Sequence, residues 1–148
     1  MILVSQFRPP VGACVVELPA GLIDAGEEGD QGAKSAALRE LYEETGYGES
    51  SKGATINVRA LSTILHKDPG MTGANMKLCI IDIALESDAP EPLAQPDEGE
   101  YIDKHLVPLR QLSEKLQGTV KYVDTQNLKH KATPCLLYTS LSGLARQT

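Results

Sequence analysis

The sequence predicts a layered α/β domain, and three observations lead to this prediction. Short apolar segments bounded by proline and glycine alternate with segments of helical periodicity along the 148 residues. A chain of this length buries roughly 68–70% of the surface of its unfolded form, which is enough to build one core. Aromatic residues make up only 4% and tryptophan is absent, so aliphatic side chains are expected to fill that core. We therefore expect a single domain over residues 1–148.

The order of elements follows from periodicity and from chain-breaking residues. Five apolar segments are expected to form strands, namely residues 1–7, 14–18, 55–65, 77–86 and 101–107. The fourth has apolar residues on both faces and is therefore expected to lie in the centre of a sheet. Three helices are expected, at about residues 31–45, 109–117 and 135–147. Asp30 is expected to cap the first helix and Gly46 to end it, while Pro108 opens the second.

Composition excludes several classes of function. The net charge of −6 argues against general binding to nucleic acid. No apolar run approaches the roughly 20 residues of a membrane-spanning helix, so no membrane partner is expected. The three cysteines are odd in number and far apart, which favours a reduced protein inside the cell. We expect a cytoplasmic location, with the nucleus as the alternative.

The first helix carries acids where its dipole disfavours them. Glu40, Glu43 and Glu44 lie in its last turns, where each anion costs roughly 0.3–1 kcal/mol. The helical repeat places these acids on one face, opposite an expected buried face formed by Leu38, Leu41, Tyr42 and Thr45. Arg39 is positioned to pair with Glu43. A solvated acidic face is the simpler interpretation, but a divalent cation such as Mg²⁺ would turn the repulsion into coordination.

These residues resemble a known motif. The segments "GLIDAGE" and "RELYEETGY" are similar to the Nudix box, G-x5-E-x7-R-E-U-x-E-E-x-G-U, in which U is a bulky aliphatic or similar residue. The matching positions are Gly21, Glu27, Arg39, Glu40, Leu41, Glu43, Glu44, Gly46 and Tyr47. Eleven residues separate Glu27 from Arg39 where the motif has seven. We interpret the difference as a four-residue insertion in the loop, because the other register puts Ala25 and Gln31 in the Gly and Glu positions.

The flanking segments narrow the resemblance. In this order, "VSQFRPPVG", "ELPAGLID", "DPGMTGANM" and "PDEGEY" are similar to the ADP-sugar pyrophosphatase group, which includes ADP-ribose pyrophosphatases. The resemblance implies a Nudix α/β/α sandwich with a mixed sheet. It also implies hydrolysis of ADP-ribose, or of a related ADP-sugar, to AMP and a sugar phosphate; the implied partner is thus a small-molecule nucleoside diphosphate sugar. Mg²⁺ is the implied cofactor, with Mn²⁺ as an alternative.

Roles carried over from the family by position complete the predicted site. Glu40, Glu44 and the carbonyl of Ala20 would bind the metal, and Glu43 would be a further ligand or a supporting acid. Glu100 would activate the attacking water, with Glu98 as the alternative. Four residues would line the substrate, namely Arg8, Leu22, Asp68 and Gly70. Taken alone, Asp68-Pro69-Gly70 is also typical of an ordinary turn.

Two alternatives to this function stay open. The substrate could be another nucleoside diphosphate derivative, such as NADH or a dinucleotide. Alternatively, the chain could be a weakly active Nudix module that binds ADP-ribose or a protein partner. The family's N-terminal segment contributes to a homodimer and supplies aromatic residues for adenine. This chain is expected to be short in that region, which leaves its dimerisation open.

Overall fold

The computed structural model describes residues 1–117. These residues belong to two compact units, one built from Met1–Pro19 and the chain from Pro96 onward, the other from Ala20–Gln95. The elements of the described residues are β1 (Ile2–Arg8), β2 (Ala13–Glu17), α1 (Gly29–Thr45), β3 (Ala54–Leu61), β4 (Leu65–His66), β5 (Asn75–Met76), β6 (Cys79–Leu85), β7 (Ile102–Leu106), a 3-10 turn (Leu109–Gln111) and α2 (Leu112–Gln117). The helix predicted at residues 135–147 lies outside this range.

The first unit contains a three-stranded antiparallel sheet in the order β2-β1-β7. Val4 pairs with Glu17 on one side of β1 and with Lys104 on the other, which makes β1 the central strand. The β1–β2 connection is short because Pro9 and Pro10 end the first strand and Gly12 adopts a φ of 66°.

Aliphatic side chains form the core of this unit, as the composition predicts. The buried members of the cluster are Leu3, Val16, Val107, Leu112 and Leu116. Met1 and Leu18 pack against them while partly exposed. Pro108 precedes a 3-10 turn rather than opening an α-helix, and α2 begins only at Leu112. The helix predicted at residues 109–117 is therefore present, but its first turn is a 3-10 turn instead of an α-helical one.

The second unit contains α1 and two antiparallel strand pairs. β3 pairs with β6, and β4 pairs with β5 in a short hairpin. The single strand predicted at 55–65 is thus divided, because β3 ends at Leu61 and β4 begins at Leu65. Within residues 1–117 β6 has one partner strand and is half-buried, so its expected central position is not observed in this part of the chain. An apolar run signals burial but does not report how many strands flank it.

Helix α1 starts earlier than predicted. It begins at Gly29, and Glu28 occupies the N-cap position without a capping hydrogen bond from its side chain. Asp30 therefore lies in the first turn and pairs with Lys77 instead of capping the helix. The predicted end is confirmed: Gly46 has a φ of 78° and donates its N–H to the Tyr42 carbonyl at 2.7 Å.

Every strand pair in the described residues is antiparallel. The α/β class is confirmed by the helices and sheets of residues 1–117, whereas a mixed sheet, which needs a parallel pair, stays a prediction. No helix in this part of the chain has the length and apolar character needed to span a membrane.

Candidate active site

Glu44 is the most deeply placed acid of α1. Only 4% of its surface is exposed, and its Oε2 accepts a hydrogen bond from the Ala20 N–H at 3.0 Å. The simpler interpretation of a solvated acidic face therefore does not hold for Glu44. A buried carboxylate needs hydrogen-bond donors, and a loop backbone supplies one in a way that a helical wheel does not represent. The predicted proximity of Glu44 and Ala20 is present in the structure.

Glu40 lies against the next residue of the same loop. A Cβ built on Gly21 would stand 1.8 Å from the Glu40 carboxyl carbon. Any side chain at position 21 would therefore displace this carboxylate. The Ala20–Gly21 backbone thus contacts the carboxylates of both Glu40 and Glu44.

Arg39 connects the acids of this site. Its Nη1 donates to Glu40 Oε1 at 2.8 Å and to Glu43 Oε2 at 3.2 Å, and its Nη2 donates to the Leu22 carbonyl at 2.9 Å. The predicted Arg39–Glu43 pair is confirmed. The same guanidinium binds Glu27 through Nη2 at 3.1 Å and lies 3.3 Å from Asp24 Oδ2.

Hydrogen bonding to Glu27 raises the pKa of Arg39 above its usual range. The hydrogen bond from Arg39, followed by that from the Asp24 N–H, lowers the pKa of Glu27 below its ordinary value. The guanidinium therefore stays charged and offsets the repulsion among the acids around it. The charge of Arg39 thus offsets part of the cost of placing acids at a helix C-terminus.

The Glu27–Arg39 pair bears on the register of the motif. Glu27, the acid that the preferred register places in the motif, accepts hydrogen bonds from Arg39, a contact that the sequence analysis did not predict. The sequence predicts that the insertion lies in the loop, whereas Gly29–Gln31 form the start of α1. Four residues add about one turn to a helix, so the residues that follow keep nearly the same orientation. Sequence reasoning missed this because the inserted residues are polar and contain glycine.

The C-terminal end of α1 is covered by a proline-rich segment that sequence reasoning did not connect with it. The Gln95 N–H donates to the Glu43 carbonyl at 2.7 Å, and Gln95 Nε2 donates to the Tyr42 hydroxyl at 3.1 Å. A Cβ on Gly46 would stand 2.4 Å from the Leu93 carbonyl oxygen. This segment thus satisfies one of the carbonyl groups that a helix end leaves unpaired. Three prolines within residues 90–96, with Leu93 and Ala94 between them, were the available signal.

The donors around Ala20 suit a hard divalent cation. Two carboxylates, from Glu40 and Glu44, lie beside the loop backbone that carries the Ala20 carbonyl. Mg²⁺ prefers oxygen ligands and typically takes only one or two carboxylates from a protein. No group of three or more His, Cys, Asp or Glu side chains within residues 1–117 is arranged to hold a metal ion. Glu43 instead faces Arg39, and the fit depends on two carboxylates and the backbone.

Three predicted substrate residues lie in loops of the same unit. The Leu22 side chain is 81% exposed, and its carbonyl is held by Arg39. The Asp68 carbonyl accepts the N–H groups of Met71 and Thr72 at 3.1 and 2.9 Å, which forms a turn between β4 and β5. Gly70 is exposed in this turn. Their contacts with substrate stay predictions.

Arg8 and Glu100 belong to the other unit. Arg8 Nε pairs with Glu17 Oε2 at 2.8 Å across β1 and β2. The Glu100 carboxylate accepts the Asp97 N–H at 3.3 Å within its own turn, and Glu98 in the same turn is exposed. The structure gives Glu100 a defined hydrogen bond, but the choice between Glu98 and Glu100 as the base stays a prediction.

Comparison with known proteins identifies the family. The model of the NUDIX domain matches residues 1–125, and the chain belongs to the Nudix family. Nudix hydrolases generally use divalent metal ions, in agreement with the oxygen donors described above.

Several relatives of this chain are named ADP-ribose or ADP-sugar pyrophosphatases. The chain is 40% identical to ADP-ribose pyrophosphatase of Saccharomyces cerevisiae over 119 residues, which covers 78% of this chain and 46% of the relative. It is 36% identical to ADP-sugar pyrophosphatase of Mus musculus over 121 residues, 80% of this chain and 50% of the relative. It is 33% identical to ADP-ribose pyrophosphatase of Bacillus subtilis over 103 residues, 70% and 48% of the two chains. The chain thus spans about half the length of these curated relatives.

Proposed function

We propose that this protein hydrolyses the pyrophosphate bond of ADP-ribose or of a related ADP-sugar with the help of Mg²⁺, Mn²⁺ being the alternative. Water adds to one phosphorus, the P–O bond to the bridging oxygen breaks, and AMP and a sugar phosphate leave. The observation that carries the proposal is the placement of the Glu40 and Glu44 carboxylates against the Ala20–Gly21 backbone. Relatives named ADP-ribose and ADP-sugar pyrophosphatases support the substrate class.

The residues of the second unit have distinct tasks in this reaction. Glu40, Glu44 and the Ala20 carbonyl would hold the cation, which when bound neutralises phosphate charge and lowers the pKa of a water molecule. Arg39 keeps the Glu40 and Glu43 carboxylates in fixed orientations through bonds of 2.8 and 3.2 Å. Fixed orientation matters because the site then needs no rearrangement when charge develops on the phosphates.

Two further residues have roles in the proposal that come from the family resemblance. Glu100 would accept a proton from the attacking water, a task that a carboxylate on a turn performs well if it reaches within hydrogen-bond distance. Arg8 would bind a phosphate through its terminal nitrogens, since its Nε is engaged by Glu17.

A substrate panel tests this function. The protein is incubated with ADP-ribose, a second ADP-sugar, NADH and a dinucleotide, with Mg²⁺, with Mn²⁺ or with a chelator, and AMP is quantified by chromatography. We expect AMP from ADP-ribose or the second ADP-sugar with either metal and none with the chelator. Faster turnover of NADH or of the dinucleotide would replace the proposed substrate. Binding of ADP-ribose without any turnover would favour the non-catalytic module.

A further inference from the structure

Gly32 is a buried glycine near the start of α1 that the helix itself does not require. Its backbone is not left-handed, so any residue could adopt the same conformation. Glycine weakens a helix relative to alanine because it loses more conformational freedom on folding. A different constraint must therefore keep position 32 free of a side chain.

The constraint is the close approach of the Glu27 backbone. A Cβ at position 32 would stand 1.9 Å from the Glu27 carbonyl carbon, 2.0 Å from its oxygen and 2.7 Å from its Cα. Real Cβ atoms do not approach other atoms this closely, and a backbone obstacle does not rotate aside as a side chain does. Any larger residue at position 32 would force Glu27 away from the helix.

Glu27 is the residue that anchors Arg39. Its two carboxylate oxygens accept hydrogen bonds from Arg39 Nη2 at 3.1 Å and from Nε at 3.4 Å. The remaining donors of the guanidinium hold Glu40, Glu43 and the Leu22 carbonyl. A shift of Glu27 would therefore alter the orientation of Arg39 and, through it, the carboxylate of Glu40.

We propose that Gly32 is a positioning residue for the metal site. Because it lacks a side chain, Glu27 lies directly on α1, and its carboxylate reaches Arg39 and so orients Glu40. The requirement belongs to the longer spacing of this chain, since Gly32 directly follows the four inserted residues 28–31. The inference rests on the proposed function in that Glu40 is taken to bind the metal.

The first test compares Gly32→Ala with Gln31→Ala, a matched control at the neighbouring exposed position. The readout is Mn²⁺ affinity without substrate, measured by electron paramagnetic resonance of the free ion. Groups that hydrogen-bond to metal ligands typically change affinity by about 10-fold to 100-fold when altered, and we expect Gly32→Ala to weaken binding by that amount. Gln31→Ala should bind Mn²⁺ as the parent does. Equal affinity of Gly32→Ala and the parent would overturn the proposal.

A double-mutant cycle separates positioning from a general loss of structure. If Gly32 acts through Glu27, combining Gly32→Ala with Glu27→Gln should weaken Mn²⁺ binding little more than the stronger single change. Independent, additive losses would assign Gly32 to helix packing alone and contradict the proposal. If Gly32→Ala does not fold, Glu27→Gln is measured by itself. Unchanged Mn²⁺ affinity of Glu27→Gln would contradict the proposal, because Gly32 is proposed to act on the metal site through Glu27.

The outcomes also distinguish this inference from the proposed function. If the parent releases no AMP from any substrate while the Mn²⁺ pattern is as expected, the substrate assignment fails and the positioning role stands. If the parent is active but Gly32→Ala retains its Mn²⁺ affinity, the positioning role fails and the function stands.

Discussion

The two ends of helix α1 differ in how far the surrounding structure supports their acidic side chains. At the N-terminal end an acid, Asp30, faces a favourable dipole, yet the N-cap residue Glu28 makes no capping hydrogen bond with its side chain. At the C-terminal end the dipole disfavours acids and no basic residue lies in the last turn. That unfavourable end nevertheless receives partners from a loop backbone, from Arg39 and from Gln95.

Local preference and structural support therefore run in opposite directions along this helix. Charged groups placed against their local preference persist only where the surrounding structure holds them, and such places are frequently functional. Glu44 is the clearest case because it is buried as well as acidic.

The largest expected effect comes from removing the charge of Glu44 at the C-terminal end of α1. Glu44→Gln keeps the shape of the side chain but removes its charge, so we expect turnover of ADP-ribose with Mg²⁺ to fall about 100-fold or more, roughly 3 kcal/mol. Circular dichroism should report an unchanged fold. The matched control is Glu28→Gln at the N-terminal end, which should retain the parent rate. Near-parental turnover by Glu44→Gln would remove this residue from the metal site.

A smaller effect, on stability, is expected from removing the hydrogen bond between Gln95 and the C-terminal end of α1. Gln95→Pro removes the N–H that bonds to the Glu43 carbonyl at 2.7 Å, and the free energy of unfolding should fall by about 1 kcal/mol. Gln95→Ala keeps this N–H and loses only the exposed bond to Tyr42, so its effect should be smaller. Urea denaturation measures both. Equal stability of the proline variant and the parent would mean that the segment does not support the helix end.

The smallest effect concerns the pH dependence of the acid beside the N-terminal end. Arg39 lowers the pKa of Glu27 in the folded protein, while the unfolded chain keeps a value near 4.5. Glu27 therefore contributes its full stabilisation above about pH 4.5, and this contribution is lost as the pH falls through the lower folded pKa.

The check is urea unfolding of the parent and of Glu27→Gln at about pH 6 and about pH 3. We expect the parent to be the more stable at the higher pH and the difference between the two proteins to shrink at the lower one. A difference that stays constant with pH would show that the Glu27–Arg39 pair does not titrate with folding.

Several features were available from the sequence because they depend on neighbours along the chain. The αL end of α1 follows from Gly46, the Arg39–Glu43 pair from an i,i+4 spacing, and the strand positions from apolar segments between prolines and glycines. The motif also identified Glu27 and Arg39 as site positions despite the eleven residues between them. Each of these features is set by local geometry or by the order of a specific motif.

Other features were decided only by the tertiary structure. Burial of Glu44, the edge position of β6 within residues 1–117, and the contact of Gln95 with the end of α1 all depend on segments distant in sequence. A helical wheel reports which side chains share a face, but it does not report which loop backbone will donate a hydrogen bond to them. The partners of a buried charge come from anywhere in the folded chain, and for this reason Glu44 could be recognised from its motif while its environment could not.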